Sequence, residues 1–503
     1  MPEAKAGKPV WPKTSAALVR AVLAGHSALG LAFAALIFLV CFSGTVAVLR
    51  PEIERWESPQ AKTATEATLG SVARMRDEAL ARYPGAHHLY VYLPTAETPY
   101  PRVLVDAVEG QPLKQWMADA NGHLVSEQAA PFADFLQRLH FYLHLPPTWG
   151  LILVGLTGVA LLSSLVSGVI AHPRVFRDAF HLRWGGSKRL QEADMHNRLG
   201  VWGLPFHVLV SLSGALLGLS TLMLGILAFV VFKGDVNKAY AMFIAPAPKD
   251  DPRPAPLAPL DPMFAHVSQQ APEAKITSVF FEHPGETGQS VTVTGETHNR
   301  LDRGDFWVFG GDGRMLEGGF SNSAESGNAI LQGLYVLHFG TFGGWPIKIA
   351  YVLLGMGLTA VTASGVAIWL ARRRDKGKPA PGWERVWTSF CWSQPPSFAI
   401  AALARLLAPA APLTLVWGAA TLAAVGLSAF WPPRVLSAVL RAASVVLIGL
   451  VPVVHVVLNG GSYGDSGAWV IDGIVVLLAL ACAASFVPLR ARANPAPVPA
   501  PAE

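Results

Sequence analysis

Four histidines could do chemistry because they occupy matching positions in two long apolar stretches. His26 and His196 each lie seventeen residues before a Ser-Gly pair. His140 and His338 each follow a leucine and precede a phenylalanine, and each leads through a tryptophan to another Ser-Gly pair. Imidazole is a ligand of metal ions and of haem iron, and an ionisable side chain in a membrane span is a candidate for function.

The four histidines are predicted to form two pairs on opposite sides of a membrane. A parallel repeat about an axis along the membrane normal would bring His26 toward His196 and His140 toward His338. A single membrane histidine is more simply interpreted as a helix–helix hydrogen bond. Four histidines at matched positions instead favour two pairs of axial metal ligands.

The glycine of each Ser-Gly pair is predicted to lie in the same two layers. At about 1.5 Å per residue, Gly44 lies roughly 27 Å beyond His26, at the other end of the span. Gly214 occupies the matching position, and Gly168 and Gly365 end the returning helices. Glycines beside facing imidazoles would leave room for a flat macrocycle, which favours haem. The alternative interpretation is close helix packing by small residues.

The composition indicates an integral membrane protein. The chain has 503 residues, 52% apolar and 15% charged, with a mean hydropathy of +0.38. Apolar runs at 21–49, 149–171, 199–232 and 346–371 each reach the roughly 20 residues that a bilayer requires. The first run is too long for a cleavable signal peptide and is expected to be a signal anchor. The pI near 9.1 reflects basic residues beside the spans, so we expect no nucleic-acid partner.

Two halves of the chain, roughly 17–174 and 187–374, repeat the order helix, polar insert, helix. Lys and Arg concentrate before the first span, between the second and third, and after the fourth, which predicts an inner-membrane protein with a cytoplasmic N-terminus. The predicted segments are a cytoplasmic N-terminus 1–16, a span 17–50, a periplasmic insert 51–138, an interfacial segment and span 139–171, a cytoplasmic loop 172–198, a span 199–232, a periplasmic insert 233–336, an interfacial segment and span 337–371, a cytoplasmic linker 372–395, further spans 396–489 and a disordered tail 490–503.

Each insert is predicted to be a small α+β domain, and the C-terminal part is predicted to be helical. The predicted elements are a helix near 67–83 with strands near 87–93, 102–107 and 113–118, then a helix near 262–271 with strands near 275–282, 289–295 and 305–309. Apolar runs at 396–409, 412–431, 435–457 and 468–488 predict three or four additional spans, since the first is short and holds Arg405. The predicted fold class is a polytopic α-helical membrane protein with an internally repeated four-helix core.

The remaining histidines are weaker candidates. His144 and His207 are possible substitute ligands or contacts of a cofactor, although packing is the simpler interpretation of each. Other histidines are predicted to be structural, and those of the inserts show no metal-ligand spacing; they include His87, His88, His123, His266, His283 and His298. Cys41, Cys391 and Cys482 predict neither a disulfide framework nor covalent c-type haem.

These motifs resemble a known family, the PepSY-associated transmembrane-helix proteins of bacterial inner membranes, which include iron-regulated proteins and ferric-siderophore reductases. The resemblance covers about 15–374. It rests on four Ser-Gly pairs and on the motifs His26-x-x-Leu-Gly30, Leu139-His140-Phe-Tyr-Leu143, His196-x-x-Leu-Gly200 and Leu337-His338-Phe-Gly340. The insert turns 117–122 and 308–313 look like the strand-turn-strand of a PepSY domain.

The resemblance implies two b-type haems and electron transfer across the membrane. A quinol or a cytoplasmic reductase would be the electron donor, and a periplasmic ferric siderophore or other ferric chelate the acceptor. The sequence departs from the family pattern at Pro146-Pro147, which predicts that His140 lies on a short separate helix and strengthens His144 as its alternative.

Two other functions are compatible with the sequence. One is a membrane scaffold or regulator whose PepSY-like inserts bind peptide. The other is a siderophore transporter, although such a protein is expected to have polar residues at the membrane midplane, whereas here they cluster at the two faces.

Overall fold

The computed structural model describes residues 15–59, 68–106, 113–171, 188–240, 242, 251–296, 305–321, 327–461 and 463–486. Several predicted features lie outside these residues: most of the cytoplasmic N-terminus, the greater part of the basic loop 172–198, His298 and the tail 490–503. Within the described residues the chain forms two compact units. The first lies within 1–173, 202–362 and 456–471, and the second within 174–201, 363–455 and 472–503.

Most described residues are helical. In chain order the helices are α1 (Ala16–Ala32), α2 (Ala34–Ala47), α3 (Arg50–Glu57), α4 (Leu69–Arg82), α5 (Pro131–Tyr142), α6 (Pro147–Ala171), α7 (Lys188–Trp202), α8 (Leu204–Gly218), α9 (Ser220–Val231), α10 (Val236–Tyr240), α11 (Leu260–Gln270), α12 (Gly327–Phe339), α13 (Gly344–Asp375), α14 (Pro381–Leu407), α15 (Leu413–Gly426), α16 (Pro433–Leu458) and α17 (Ser466–Ala484). A short 3₁₀ helix, Leu427–Ala429, follows α15.

Four of these helices, α6, α13, α16 and α17, are long and apolar enough to cross a membrane, and the number rises to six if each of two bent helix pairs is one span. The chain is therefore a multi-pass membrane protein. The other two C-terminal helices, α14 and α15, pack together within the second unit, where the Trp417 indole N–H donates to Gln394 Oε1 at 3.1 Å. The sequence predicts three or four additional spans in this region. The structure has four helices there, α14–α17, of which α16 and α17 are long and apolar enough to cross a membrane.

Two predicted spans are interrupted. α1 and α2 meet at 66° at Phe33, and a break at Gly203 separates α7 from α8. Each break falls seven residues after a candidate ligand, His26 or His196. Pro205 in the first turn of α8 explains the second break, because proline cannot donate the hydrogen bond that would continue α7. The third predicted span, 199–232, is thus divided among α7, α8 and α9.

The two inserts share one antiparallel sheet of eight strands in the order β4-β3-β2-β1-β5-β6-β7-β8. The strands are β1 (His88–Tyr92), β2 (Arg102–Val105), β3 (Lys114–Ala118), β4 (Leu124–Glu127), β5 (Lys275–Glu282), β6 (Ser290–Glu296), β7 (Asp305–Gly310) and β8 (Met315–Ser321). Six strands match the predicted positions. The sequence did not predict β4 and β8, which are short or contain glycine, nor the pairing of β1 with β5 that joins the inserts.

One face of this sheet is covered by α4 and α11. Their apolar residues, including Met75 and Phe264, pack against strand residues such as Leu89, Phe281 and Trp307 to form a buried core. Alternation of buried and partly exposed residues along β1 and β6 follows the two-residue period of strands. The core therefore ties both inserts into one body.

Candidate functional site

His140 lies on a helix that is separate from the second span. α5 ends at Tyr142, and the next two residues, Leu143 and His144, have φ values of 53° and 56°. Pro147 begins α6. A left-handed residue commonly ends a helix, and proline is favoured in the first turn of the next. The separate helix predicted from Pro146-Pro147 is therefore present.

The imidazoles of His140 and His338 face each other within the first unit. Their ring centres are 6.1 Å apart and their planes differ by 19°. Two imidazoles on one metal ion, each bonded at about 2.0–2.1 Å with its ring centre about 1 Å behind the nitrogen, have centres about 6 Å apart. The predicted proximity of the pair is present in the structure, and its separation fits two axial ligands of one metal.

Two glycines of the Ser-Gly pairs, Gly44 and Gly214, make room for these rings. A Cβ atom at Gly44 would lie 2.5 Å from His140 Cε1, and one at Gly214 would lie 2.9 Å from His338 Cε1. Such distances are too short for any side chain to be accommodated without movement. Each glycine thus admits the edge of an imidazole, a more specific role than the open space for a macrocycle that the sequence suggested.

His26 and His196 are seated in the same way, each within its own unit. His26 Cε1 lies 3.3 Å from the position of a Cβ at Gly168, and His196 Cε1 lies 3.3 Å from that of a Cβ at Gly365. In all four cases the histidine therefore contacts the Ser-Gly pair of its own half of the chain. His26 belongs to the first unit and His196 to the second, and their pairing stays a prediction.

The Nδ1 atom of each imidazole is held near the serine of the same motif. His140 Nδ1 lies 3.0 Å from the Val40 carbonyl oxygen, three residues before Ser43. Ser213 Oγ lies 2.9 Å from His338 Nδ1. An Nδ1–H that donates to an oxygen selects the tautomer in which Nε2 is the free ligand nitrogen.

The other two histidines follow the same rule. His26 Nδ1 lies 2.9 Å from the Ser164 carbonyl oxygen and 3.2 Å from Ser167 Oγ. His196 Nδ1 lies 3.1 Å from Ser364 Oγ. In three of the four cases the serine hydroxyl of the Ser-Gly pair contacts Nδ1, and in the fourth the Val40 carbonyl takes its place. In every case the glycine leaves space for the ring edge.

A cavity of about 600 Å³ adjoins the facing pair. Its wall includes His140, His338 and the two glycines that contact them, together with apolar residues of α2, α6, α8 and α13. The cavity also reaches the sheet, where Tyr92 and Leu104 line it. Cavities that hold cofactors usually measure about 300–1,000 Å³ and are mostly apolar with a few polar groups.

The polar part of the cavity wall contains three basic residues, Arg50, Arg102 and Lys348. Arg50 and Arg102 share the Glu54 carboxylate, at 2.6 and 3.2 Å. Their Nε atoms are nevertheless buried and have no hydrogen-bond partner in the part of the chain that the structure describes. Both side chains line the cavity, so their guanidinium groups give its polar end positive charge.

Lys348 is more fully neutralised. Its Nζ donates to Glu52 at 2.6 Å and to Glu97 at 2.8 Å, and both Glu52 and Lys348 are buried. The ion pairs connect α3 and the loop before β2 to the first turn of α13. This network therefore fixes the polar end of the cavity.

The two alternative ligands lie elsewhere. His144 stacks on Phe135, with ring centres 5.1 Å apart. His207 is fully buried and its ring packs against Gly203, at the break between α7 and α8. Neither lines the cavity beside His140 and His338.

The basic residues of the cavity were not predicted from the sequence. Arg50 directly follows the first apolar run, and Arg102 lies in a strand. Lys348 carried a usable signal, because a lysine within the apolar run 346–371 needs a buried partner. The partners themselves, Glu52 and Glu97, are about 300 and 250 residues away, so no local pattern connects them.

Two comparisons bear on these features. Residues 23–372 match the family described as the PepSY-associated TM region, and this range includes all four histidines and all four Ser-Gly pairs. A protein of Pseudomonas aeruginosa strain PAO1, described as "Uncharacterized protein PA4219", is 31% identical over 331 residues, which cover 60% of this chain and 82% of that relative.

Proposed function

The chain belongs to the PepSY-associated TM family, and from this premise we propose that it is a haem-dependent membrane electron-transfer protein. The observation that carries the proposal is the pair of near-parallel imidazoles of His140 and His338, with ring centres 6.1 Å apart beside a large, mostly apolar cavity. Bis-histidine coordination of this kind is a common form of haem ligation in electron-transfer proteins with helical cores.

In this proposal the residues of the chain hold and orient a b-type haem. His140 and His338 would hold the haem iron through their Nε2 atoms, while the Val40 carbonyl and Ser213 hold their Nδ1 atoms. The guanidinium groups of Arg50 and Arg102, which line the cavity, would supply donors for the propionate carboxylates. The apolar wall excludes water from the metal. The haem, when bound, supplies one-electron transfer.

We propose that His26 and His196 hold a second haem. Each has the same Ser-Gly seat as the first pair, so each can present an Nε2 atom in a fixed orientation. With the orientation predicted from the basic loops, this second site lies toward the cytoplasm and the His140–His338 site toward the periplasm. Electrons would then pass from a quinol or a cytoplasmic reductase to a periplasmic acceptor.

The acceptor that we propose is a ferric siderophore or another ferric chelate. Two features support this class. The family resemblance described above includes ferric-siderophore reductases, and the cavity that contains the facing pair opens toward the sheet, where Tyr92 and Leu104 line its wall. An acceptor bound beside the sheet would therefore be near the electron-donating site.

The test is the haem content and the visible spectrum of the detergent-purified full-length chain, expressed with an ample haem supply. We expect two haems per chain by pyridine haemochrome and protein assay, with low-spin bands in the reduced-minus-oxidised spectrum. The control is the double variant His140→Ala/His338→Ala, which should retain one haem per chain. A colourless wild-type protein would contradict the proposal and would favour a peptide-binding scaffold or a transporter.

A further inference from the structure

The junction between the two halves of the sheet brings together three potential metal ligands outside the cavity. β1 and β5 are antiparallel neighbours, with His88 opposite Glu282. One position beyond this pair, the His283 backbone N–H donates to the His87 carbonyl at 2.6 Å. The two histidines therefore face each other at the end of the ladder, although 196 residues separate them.

The ligand atoms of this cluster are close together. His87 Nδ1 and His283 Nδ1 are 3.2 Å apart. His283 Nδ1 and Glu286 Oε2 are 3.5 Å apart. All three residues offer ligand atoms within 4.8 Å of one another. Tetrahedral ligands at about 2.0–2.1 Å from a metal ion are about 3.3 Å from each other, so both measured separations fit one shared cation.

The turn after β5 positions two of the three ligands. The Glu286 N–H donates to the His283 carbonyl at 3.1 Å, and the Gly285 N–H donates to Gln289 Oε1 at 3.4 Å. Gln289 is buried, and its amide also holds the backbone at Pro256 and Ala258. The side chains of His283 and Glu286 are 27% and 24% exposed, so both are partly ordered by their surroundings before any ligand binds.

A hydrogen bond between the two histidines explains only part of this arrangement. If one Nδ1–H donates to the other Nδ1, that hydrogen is not available to Glu286. A cation satisfies both imidazole lone pairs and the carboxylate together. Of the nearby side chains, His88 is already engaged, since its Nδ1 lies 2.8 Å from Asp106 Oδ2.

We propose that His87, His283 and Glu286 form a site for a divalent first-row transition-metal ion that connects the two halves of the sheet. Two imidazoles and one carboxylate are borderline ligands that suit Zn²⁺, Ni²⁺, Cu²⁺ or Fe²⁺ rather than Mg²⁺ or Ca²⁺. His87 is exposed, so the remaining coordination positions are open to water or to a small ligand. His87 comes from the first insert, and the other two ligands come from the second, so a bound ion stabilises their junction.

The test uses Zn²⁺ with the full-length chain in detergent, after removal of the affinity tag and treatment with a chelator. Titration against a chromophoric chelator should show one Zn²⁺ per chain. His87→Ala and Glu286→Gln should each weaken binding by at least about tenfold. Zn²⁺ should raise the thermal midpoint of the wild type but not that of His87→Ala.

The matched control is His123→Ala. His123 also pairs with a glutamate, with Nδ1 2.8 Å from Glu78 Oε1, but no third ligand completes a cluster there among the described residues. This variant should bind Zn²⁺ like the wild type. Haem content measured in parallel should be unchanged in every variant, which shows that the chain is folded and separates this proposal from the proposed function. Absence of saturable binding to the wild type, or equal binding by His87→Ala and Glu286→Gln, would overturn the proposal.

Discussion

The four imidazoles differ in how closely they approach the glycine of their Ser-Gly pair, which we call the seat of the imidazole. His140 and His338 lie closer to their glycines than His26 and His196 do. A Cβ at Gly44 or Gly214 would come within 2.5 or 2.9 Å of the imidazole, whereas one at Gly168 or Gly365 would remain at 3.3 Å. The same Ser-Gly motif therefore produces a close seat in one pair and a looser one in the other.

The difference indicates that the Ser-Gly motif determines which residue type packs against the glycine, an imidazole, but does not determine the distance between the two helices. The close seats involve α5 and α12, two short helices outside the long spans, and their histidines face each other in one unit. The looser seats involve α1 and α7, which are interrupted seven residues after the histidine.

The largest expected effect is on electron transfer, and it distinguishes the two pairs. His338→Ala should leave the His26–His196 haem reducible by the cytoplasmic donor while reduction of an external ferric chelate stops. His196→Ala should leave the His140–His338 haem reactive toward an external dye, but that haem should no longer accept electrons from the cytoplasmic donor. Stopped-flow haem reduction measures electron entry in inverted vesicles, with the donor added outside, and the reactions with the dye and the chelate in right-side-out vesicles.

The control for that experiment is His207→Ala, which removes a buried histidine that does not line the cavity. It should cost stability, on the order of 2–5 kcal/mol for a large buried side chain, but retain both haem signals. Equal loss of both signals in His338→Ala and His196→Ala would show that the two pairs are not separate steps.

A smaller effect is expected from the glycines, and it tests the comparison directly. Gly44→Ala forces the His140 ring to move, so most of the haem at that site should be lost. Gly168→Ala requires a shift of only a few tenths of an ångström and should retain most haem at its site. The measurement is haem content per chain together with the low-spin bands.

Gly357→Ala is the control for the glycine variants. Nothing lies within 4 Å of a Cβ at Gly357, and alanine is about 0.5–1 kcal/mol more favourable than glycine within a helix. Its haem content should equal that of the wild type. If Gly168→Ala lost as much haem as Gly44→Ala, the distinction between close and loose seats would be wrong.

The sequence predicted the repeating part of this site and missed the part that depends on long-range contacts. The spacing of His26 and His196 to the Ser-Gly pairs follows from helix geometry, so it was visible locally. The joining of β1 to β5 was not, because pairing between distant strands leaves no local signature. The same limit applies to the Lys348–Glu52 ion pair and to the contact of His87 with His283.

Substitution of the serines should have a modest effect that differs between the two halves of the facing pair. Ser213→Ala removes the hydroxyl that contacts His338 Nδ1 at 2.9 Å. Loss of an outer-shell partner typically weakens metal affinity about 10–100-fold. We expect a loss of affinity within that range, measured by haem transfer to an apo-globin.

Ser43→Ala is the matched control in the other half. His140 Nδ1 contacts the Val40 carbonyl, which no side-chain substitution removes, and Ser43 itself donates to that carbonyl. Haem transfer should therefore be as slow as in the wild type. Faster transfer from Ser43→Ala than from Ser213→Ala would contradict the assigned Nδ1 partners.

The smallest effect concerns His144, which lies four residues after His140 yet stacks on Phe135. His144→Asn should retain both haems, because asparagine tolerates the left-handed backbone at this position.

Burial lowers the pKa of His144 from 6.5 to about 4. The unfolded chain therefore takes up this proton first as the pH falls, and the wild type loses stability between about pH 6.5 and 4. His144→Asn loses the stacking contact, worth about 0.5–1.5 kcal/mol, but escapes this loss. Its thermal midpoint should lie below that of the wild type at pH 7.5, and the difference should narrow or reverse at pH 5. Loss of a haem from this variant would instead make His144 a ligand and would break the pairing of His140 with His338.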